Sequence, residues 1–362
     1  VRTNSNASAA RAQLHSDRQS AGHDANNFDL MRLVAAGLVL VSHSFPLATG
    51  NNASEPLMRL SGGQSTLGYL SVGIFFVMSG YLITASFLNS RSVASYFGKR
   101  LLRIYPALVV MTLLTSFLLG PIVTSLSIGD YLRSPGTYKY LLNMFAVVPA
   151  PFGLPAVFDD NPFRLAVNGS LWTLKFEIMC YVFVSILGIV KMLRGSVVIP
   201  IWIASFFLAR LVEAHVMPLT GIWFYVQHGA EFFEFFGAGM ILYLFRDRMG
   251  TARLPLAAAV TFVGIGLFTD FFLEAFAVFG SYAVIRLAAA RPVWISSLVK
   301  SWGDFSYGVY IYAFPVQQTV SHFVPDLRWY QNAILSLPVV LLLSVLSWHL
   351  IERRALALKR AF

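Results

Sequence analysis

The sequence predicts an all-α protein, a polytopic membrane bundle of about ten transmembrane helices with both termini cytoplasmic. Three observations lead there. Hydrophobic residues make up 57% of the chain and charged residues 12%, with a mean hydropathy of +0.66, whereas soluble domains carry roughly 25% charge. Apolar stretches recur along the chain near the length of about 20 residues that a helix needs to cross a bilayer. Lys and Arg are distributed unevenly between alternate connections, as cytoplasmic loops require.

Taken in order, the predicted spans are roughly 29–47, 68–88, 101–120, 170–190, 197–213, 231–246, 254–268, 270–286, 302–323 and 333–352. The seventh and eighth are short and could form one long helix. Charge decides for two: with ten spans, 19 of the 27 Lys and Arg residues fall on the inner side. The outer loops keep Arg59, Arg133, Lys139, Arg164 and Arg328. Merging the pair would carry Arg286, Arg291 and Lys300 to the outside and weaken that asymmetry. The net charge of +10 is then the imprint of membrane insertion and of contact with anionic lipid, and no nucleic acid partner is needed to explain it. Cys180, the single cysteine, excludes an intrachain disulfide.

Residues 1–27 are polar, lack a signal-peptide pattern and read as a disordered cytoplasmic tail in which His15 and His23 carry no role. Residues 28–362 form one membrane domain with no room for an appended soluble domain. Its long outer loop, about 121–169, is rich in proline. Within that loop Tyr138–Val148 is apolar but too short to span, which predicts a re-entrant or interfacial segment over a cavity mouth. Gly237 and Gly239, and Gly264 and Gly266, mark close helix packing.

The chemistry concentrates in the first span. Arg32 and His43 are eleven residues apart, and eleven steps of 100° return to within about 20° of the start, so both lie on one stripe. Asp29 lies one turn before Arg32, within about 40° of His43. Ionisable groups are costly in hydrocarbon and usually functional there. His43, about 16 Å above Arg32, is the candidate general base, because a neutral imidazole accepts a proton from a hydroxyl. Arg32 and Asp29 also fit an interfacial pair that reaches to the headgroups. Glu177, two turns into the fourth span, has a depth comparable with His43 and is expected to meet it and orient its ring.

Phe75, Phe76, Ser79 and Gly80 in FFVMSG put a small pair where backbones or a ligand can approach closely. Arg100 and Arg103 share one helical face at the cytoplasmic start of the third span, which suits a phosphate clamp as well as positive-inside anchoring. Glu231 and Glu234, with His228 before them, fit either an acceptor cleft or an interfacial position. No histidine or acid spacing points to a metal, and there is no Gly-rich phosphate loop or nucleophile elbow.

Five runs in this order, FDLMRL with a histidine eleven after the arginine, FFVMSG, KRLLRIYP, SLWTLKFE and SYGVYIYAFP, resemble the membrane acyltransferase-3 family over residues 28–360. The resemblance implies transfer of an acyl group, commonly acetyl, from cytoplasmic acyl-CoA to sugars of surface polysaccharides, lipopolysaccharides and related glycoconjugates. It implies His43 as the essential histidine, Arg32 as its paired arginine, and Phe75, Phe76, Ser79 and Gly80 as the second motif. Arg100 and Arg103 then become donor-side arginines, and Glu177 the family's glutamate after the tryptophan. Many members carry a histidine before the late proline, where this chain has Ala313, Phe314 and Pro315.

The combined reading is an O-acyltransferase of the bacterial cytoplasmic membrane. His43, Glu177 and Asp29 form its catalytic set, and Arg32, Arg100, Arg103 and Ser79 its donor-binding set. Acyl-CoA is the donor, a glycan or glycolipid the acceptor, membrane lipid the surroundings, and no metal or nucleic acid takes part. The alternative is a secondary transporter of an organic anion or a lipid-linked glycan, against which stands the lack of paired broken segments in two halves of the chain.

Overall fold

The computed structural model describes residues 26–361 apart from 165, 217–219 and 250–253. Among these residues the protein is helical throughout, and its one strand-like contact is the isolated bridge between Thr124 and Val157. The helices are α1 (Phe28–Thr49), α2 (Leu67–Leu88), α3 (Val93–Leu114), α4 (Leu174–Ile189), α5 (Gly195–His215) and α6 (Ile222–Leu244). They continue as α7 (Leu254–Gly266), α8 (272–288, with a π turn at Phe276–Gly280), α9 (Trp294–Trp302), α10 (Ser306–Phe323) and α11 (Trp329–Ser347).

Each of the ten predicted spans falls on one of these helices, but six are long and apolar enough to cross a membrane: Phe28–Thr49, Leu67–Leu88, Val93–Val123, Gly169–Ile189, Gly195–His215 and Trp329–Ala357. The other four differ for visible reasons. α6 carries Gln227, His228, Glu231 and Glu234, α10 carries Gln317, Gln318 and Ser321, α7 has only 13 residues, and α8 is short and broken by its π turn.

Interhelical hydrogen bonds set the directions of the chain. Gln64, in the connection after α1, donates to the Thr269 carbonyl (2.5 Å) and accepts from the Phe272 amide (2.8 Å), so the α7–α8 turn sits at the C-terminal end of α1. Asn27 donates to the Leu287 carbonyl (3.0 Å) and accepts from the Val293 amide (3.1 Å), so α8 ends at the N-terminal end of α1. The seventh and eighth stretches are therefore separate helices joined by a turn. Asn27 is itself buried against the end of α8. The remainder of the predicted tail, with His15 and His23, lies outside the described residues.

α10 runs alongside α1, tied by Gln317 to the Leu40 carbonyl (2.9 Å) and Ser44 (2.7 Å) and by Ser321 to the Leu47 carbonyl (2.9 Å). α2 crosses α6 at a contact that only glycine permits. A β-carbon on Gly80 would lie 1.9 Å from the Phe236 carbonyl oxygen, and one on Gly239 would lie 2.1 Å from that of Val77. Gly237 also meets side chains closely, whereas Gly264 faces open space.

Between α3 and α4 the chain forms three short helical turns, Ile128–Arg133, Pro135–Lys139 and Tyr140–Phe145, around a small core of Tyr131, Tyr140, Val157 and Phe158. This region is bound to the bundle through Asn161 to Gln318 (2.7 Å) and Asn168 to the Ile311 carbonyl (2.9 Å). Among the described residues, none of 121–168 lines either of the two cavities described below, and within Tyr138–Val148 the Phe145 carbonyl accepts from Tyr105 of α3 (2.9 Å).

Candidate active site

Two cavities lie end to end along one face of α1 and α2. The first, about 470 Å³, is lined by Asp29 and Arg32 of α1, Ser79 of α2, Arg100 and Arg103 of α3 and Glu177 of α4, with Asp304, Tyr307 and Lys359. The second, about 260 Å³, is lined by Ser42, His43 and Pro46 of α1, Asn52, Thr66, Tyr69, Ser170 and Trp172. The predicted stripe on α1 therefore exists, but its ends serve different chambers.

The same division runs along α2. Gly68, Tyr69 and Val72 face the histidine cavity, and Val72, Phe75, Phe76, Ser79, Leu82 and Ile83 face the arginine cavity. This is the three- and four-residue spacing of one helical face. Ser79 and Gly80 thus divide the two roles weighed for FFVMSG: Ser79 points to the cavity, and Gly80 makes the crossing with α6.

In the arginine cavity the charges are mostly paired. Asp304 Oδ2 accepts from Arg103 Nη2 (2.6 Å) and lies 3.5 Å from Arg32 Nη1, while its Oδ1 accepts from Ser306 (2.6 Å). Arg32 is also 2.9 Å from Asp29 Oδ1, and Arg103 Nη1 lies 3.7 Å from Glu352, which is buried and accepts from Ser347. Gly303, at φ +115°, makes this arrangement possible. A β-carbon there would collide with the Trp348 ring, so only glycine turns the chain from α9 into α10 with Asp304 facing the arginines. Arg100 differs from its neighbour: it bonds Ser86 (3.2 Å), its buried Nε has no partner, and it makes no ion pair among the described residues.

Glu177 does not meet His43, which corrects the expected pairing. Its Oε1 accepts from Ser79 (2.9 Å) and from Tyr181 (2.5 Å) inside the arginine cavity. Asp29 is likewise separated from His43, about 21 Å along the helix at 1.5 Å per residue, and its observed partner is Arg32.

In the other cavity, the His43 ring packs edge-on against Phe314 (5.1 Å between centroids), and its Nδ1 is buried without a hydrogen-bond partner. Pro46, one turn on, cannot donate to the Ser42 carbonyl, so α1 leaves a backbone acceptor next to the ring. Ala313 is fully buried in a cluster with Ala36, Leu40 and Val309. Beside this cavity Glu231 accepts from Tyr69 (2.9 Å), Gln227 (2.9 Å) and His228 (2.8 Å), which joins two of the residues singled out earlier; the Glu234 side chain is buried nearby.

Sequence reasoning did not single out Asp304, Glu352, Lys359 or Tyr310. Asp304 and Glu352 are carboxylates at the edges of apolar runs and carried a usable signal, since buried acids in such places require partners. Lys359 had been counted only as a topological charge. Tyr310 had none, because nothing in an apolar stretch distinguishes a tyrosine in a cavity wall from one in the core.

Comparison with known proteins bears on the family of the chain. The family described as an acyltransferase domain, Acyl_transf_3, matches residues 26–353. An O-acetyl transferase of Shigella phage Sf6 is 35% identical over 340 residues, covering 92% of this chain and 97% of that protein. Nodulation protein 10 of Rhizobium leguminosarum bv. viciae is 28% identical over 380 residues, covering 95% and 96%. No solved structure matches. With a family match over nearly all of the described helices and a relative 35% identical along most of both chains, the chain belongs to the acyltransferase-3 family of membrane enzymes, and it is an acyltransferase.

Proposed function

We propose that this enzyme resides in the bacterial cytoplasmic membrane with both termini in the cytoplasm. It takes an acetyl group from cytoplasmic acetyl-CoA and transfers it to a hydroxyl of an extracytoplasmic glycan or glycolipid. One observation carries the reading: a cationic cavity and a histidine-bearing cavity meet end to end along the same faces of α1 and α2. A donor with a phosphorylated end fits the first, and an alcohol needing a base fits the second. The relative named O-acetyl transferase supports an acetyl group.

Arg32 and Arg103 are committed to Asp29, Asp304 and Glu352 and hold the cavity's shape. Arg100, with its unpartnered Nε, and Lys359 at the same cavity are the cations left to bind phosphate. The pantetheine arm runs past Ser79 and Phe75 and brings the thioester to the boundary with the histidine cavity. The acceptor hydroxyl gives its proton to His43 and attacks the thioester carbonyl carbon. The carbon–sulfur bond breaks as the carbon–oxygen bond forms, and the proton passes from the imidazolium to the CoA thiolate. His43 suits this role because it lines the second cavity and its Nδ1 is not engaged by another group among the described residues.

The test uses purified enzyme in proteoliposomes with labelled acetyl-CoA, and as acceptor source membranes from a strain lacking the gene. Label on the glycan, with CoA thiol released in step, is the expected outcome. Movement of glycan or anion across the vesicle without thiol release would replace transfer by transport. Label on His43 in the absence of acceptor would make the histidine the acyl carrier.

A further inference from the structure

The two cavities share part of their lining. The residues lining both are Val72 and Tyr310. Val72 projects from α2 and is 9% exposed; Tyr310 projects from α10 and is 7% exposed. The tyrosine is fixed in place. Its hydroxyl donates to the Ser170 carbonyl (2.8 Å) and lies 2.7 Å from Thr173 Oγ1, and Phe75 meets its ring edge-on at 5.8 Å. Its two anchors stand on opposite sides of the boundary: Ser170 lines the histidine cavity and Thr173 the arginine cavity. Both belong to the short helical segment Gly169–Thr173 that leads into α4, so one segment holds the tyrosine from both sides of the boundary.

We propose that Val72 and Tyr310 form the neck through which the acyl thioester reaches His43, and that this neck restricts the enzyme to short acyl chains. The inference rests on the donor reading given above. Beyond the neck the acyl group must share a cavity of about 260 Å³ with the acceptor, which is below the roughly 300–1,000 Å³ typical of a site for one drug-sized ligand. A longer chain would therefore have to be threaded past a pinned aromatic ring into space that the sugar needs. Val72 is the adjustable side, because its side chain ends at the neck whereas the Tyr310 hydroxyl is also bonded to that segment.

The experiment compares wild type, Val72→Ala and Val72→Phe with labelled acetyl-, butyryl- and hexanoyl-CoA, again using membranes from a strain lacking the gene as acceptor source. Val72→Ala should raise the ratio of kcat/KM for hexanoyl to that for acetyl transfer at least tenfold. Val72→Phe should lower acetyl transfer more than a hundredfold while the Kd for CoA stays within threefold of wild type, because the cations assigned to phosphate, Arg100 and Lys359, line only the arginine cavity. An unchanged chain-length ratio in Val72→Ala, or acetyl transfer within threefold of wild type in a CoA-binding Val72→Phe enzyme, overturns the neck. If Val72→Phe also loses CoA affinity, its fold is disturbed and the Val72→Ala ratio alone decides. Failure of the underlying donor reading shows itself separately, as wild-type enzyme that transfers no acetyl from acetyl-CoA.

Discussion

At His43 the useful property is a missing contact. The ring is held by Phe314 on its edge, yet Nδ1 has no partner, so no carboxylate fixes its tautomer before substrate arrives. General bases contribute roughly 10²–10⁴-fold to rate, and His43→Ala should reduce acetyl transfer by about that factor in enzyme that still binds CoA; near-wild-type turnover would remove the histidine from the chemistry. The arginines divide differently from what their spacing suggests. Arg100→Gln should weaken CoA binding about tenfold, or about 1.4 kcal/mol, with little change in thermal stability. Arg103→Gln should destabilise the protein by about 3 kcal/mol or more, since it leaves the buried Glu352 without its cation and Asp304 with only the longer contact to Arg32; a calorimetric scan and a CoA titration of the two variants separate these effects. Lys359 lies beyond the last membrane-spanning segment, and burial, helped by Arg100, Arg103 and Arg32 and opposed by Asp304, lowers its pKa to about 8. An anion binds the protonated amine, so donor affinity should hold below pH 7 and decline as pH rises through 8. Lys359→Arg should flatten that profile when Kd is measured across the range.

Helices, more than single residues, show how motif and packing combine. α2 presents a continuous face from Gly68 to Ile83 to both cavities, while Gly80 on its other side lets α6 come into backbone contact. Gly80→Ala or Gly239→Ala must push the two helices apart, at a cost of about 1–3 kcal/mol or more. Gly264→Ala, where the added carbon meets nothing within 4 Å, should be neutral or slightly stabilising through better helix propensity. Thermal unfolding in detergent tests the contrast, and equal losses at the three positions would contradict the crossing. FFVMSG was legible as a motif because small residues are conspicuous in an apolar run. Its division into a cavity serine and a packing glycine was not, because that depends on which side α6 lies.

For the molecule as a whole, the proposed topology puts the connection near Arg91 in the cytoplasm and the segment near Ser127 outside. The natural background for such a test is low, since Cys180 is the only cysteine and is buried. An impermeant maleimide added to intact cells should label Ser127→Cys and spare Arg91→Cys; the reverse pattern would invert the donor and acceptor sides. Among the described residues each predicted span falls on a helix, although α9 was not predicted and α6 begins at Ile222 rather than near 231; these positions, and the common stripe of Asp29, Arg32 and His43, were readable because hydropathy and helical period are local. The partners of those residues were not. Glu177 has about the same depth as His43 by residue counting, but depth does not specify which neighbour a side chain faces, and α4 turns it toward Ser79 and Tyr181.

By itself the sequence determined that this chain builds a membrane bundle, that its first helix carries an arginine and a histidine on one face, and that its motifs are those of an acyltransferase. These are local properties, set by composition, by helical periodicity and by residues close together along the chain. Tertiary structure alone decided that this face opens into two chambers, that Asp304 and Glu352 occupy Arg103 while Arg100 makes no ion pair among the described residues, and that Val72 and Tyr310 line both chambers. Each of those outcomes depends on contacts between helices far apart in the sequence, whose rotation about their own axes is set by packing and by buried hydrogen bonds, and no local pattern encodes that rotation.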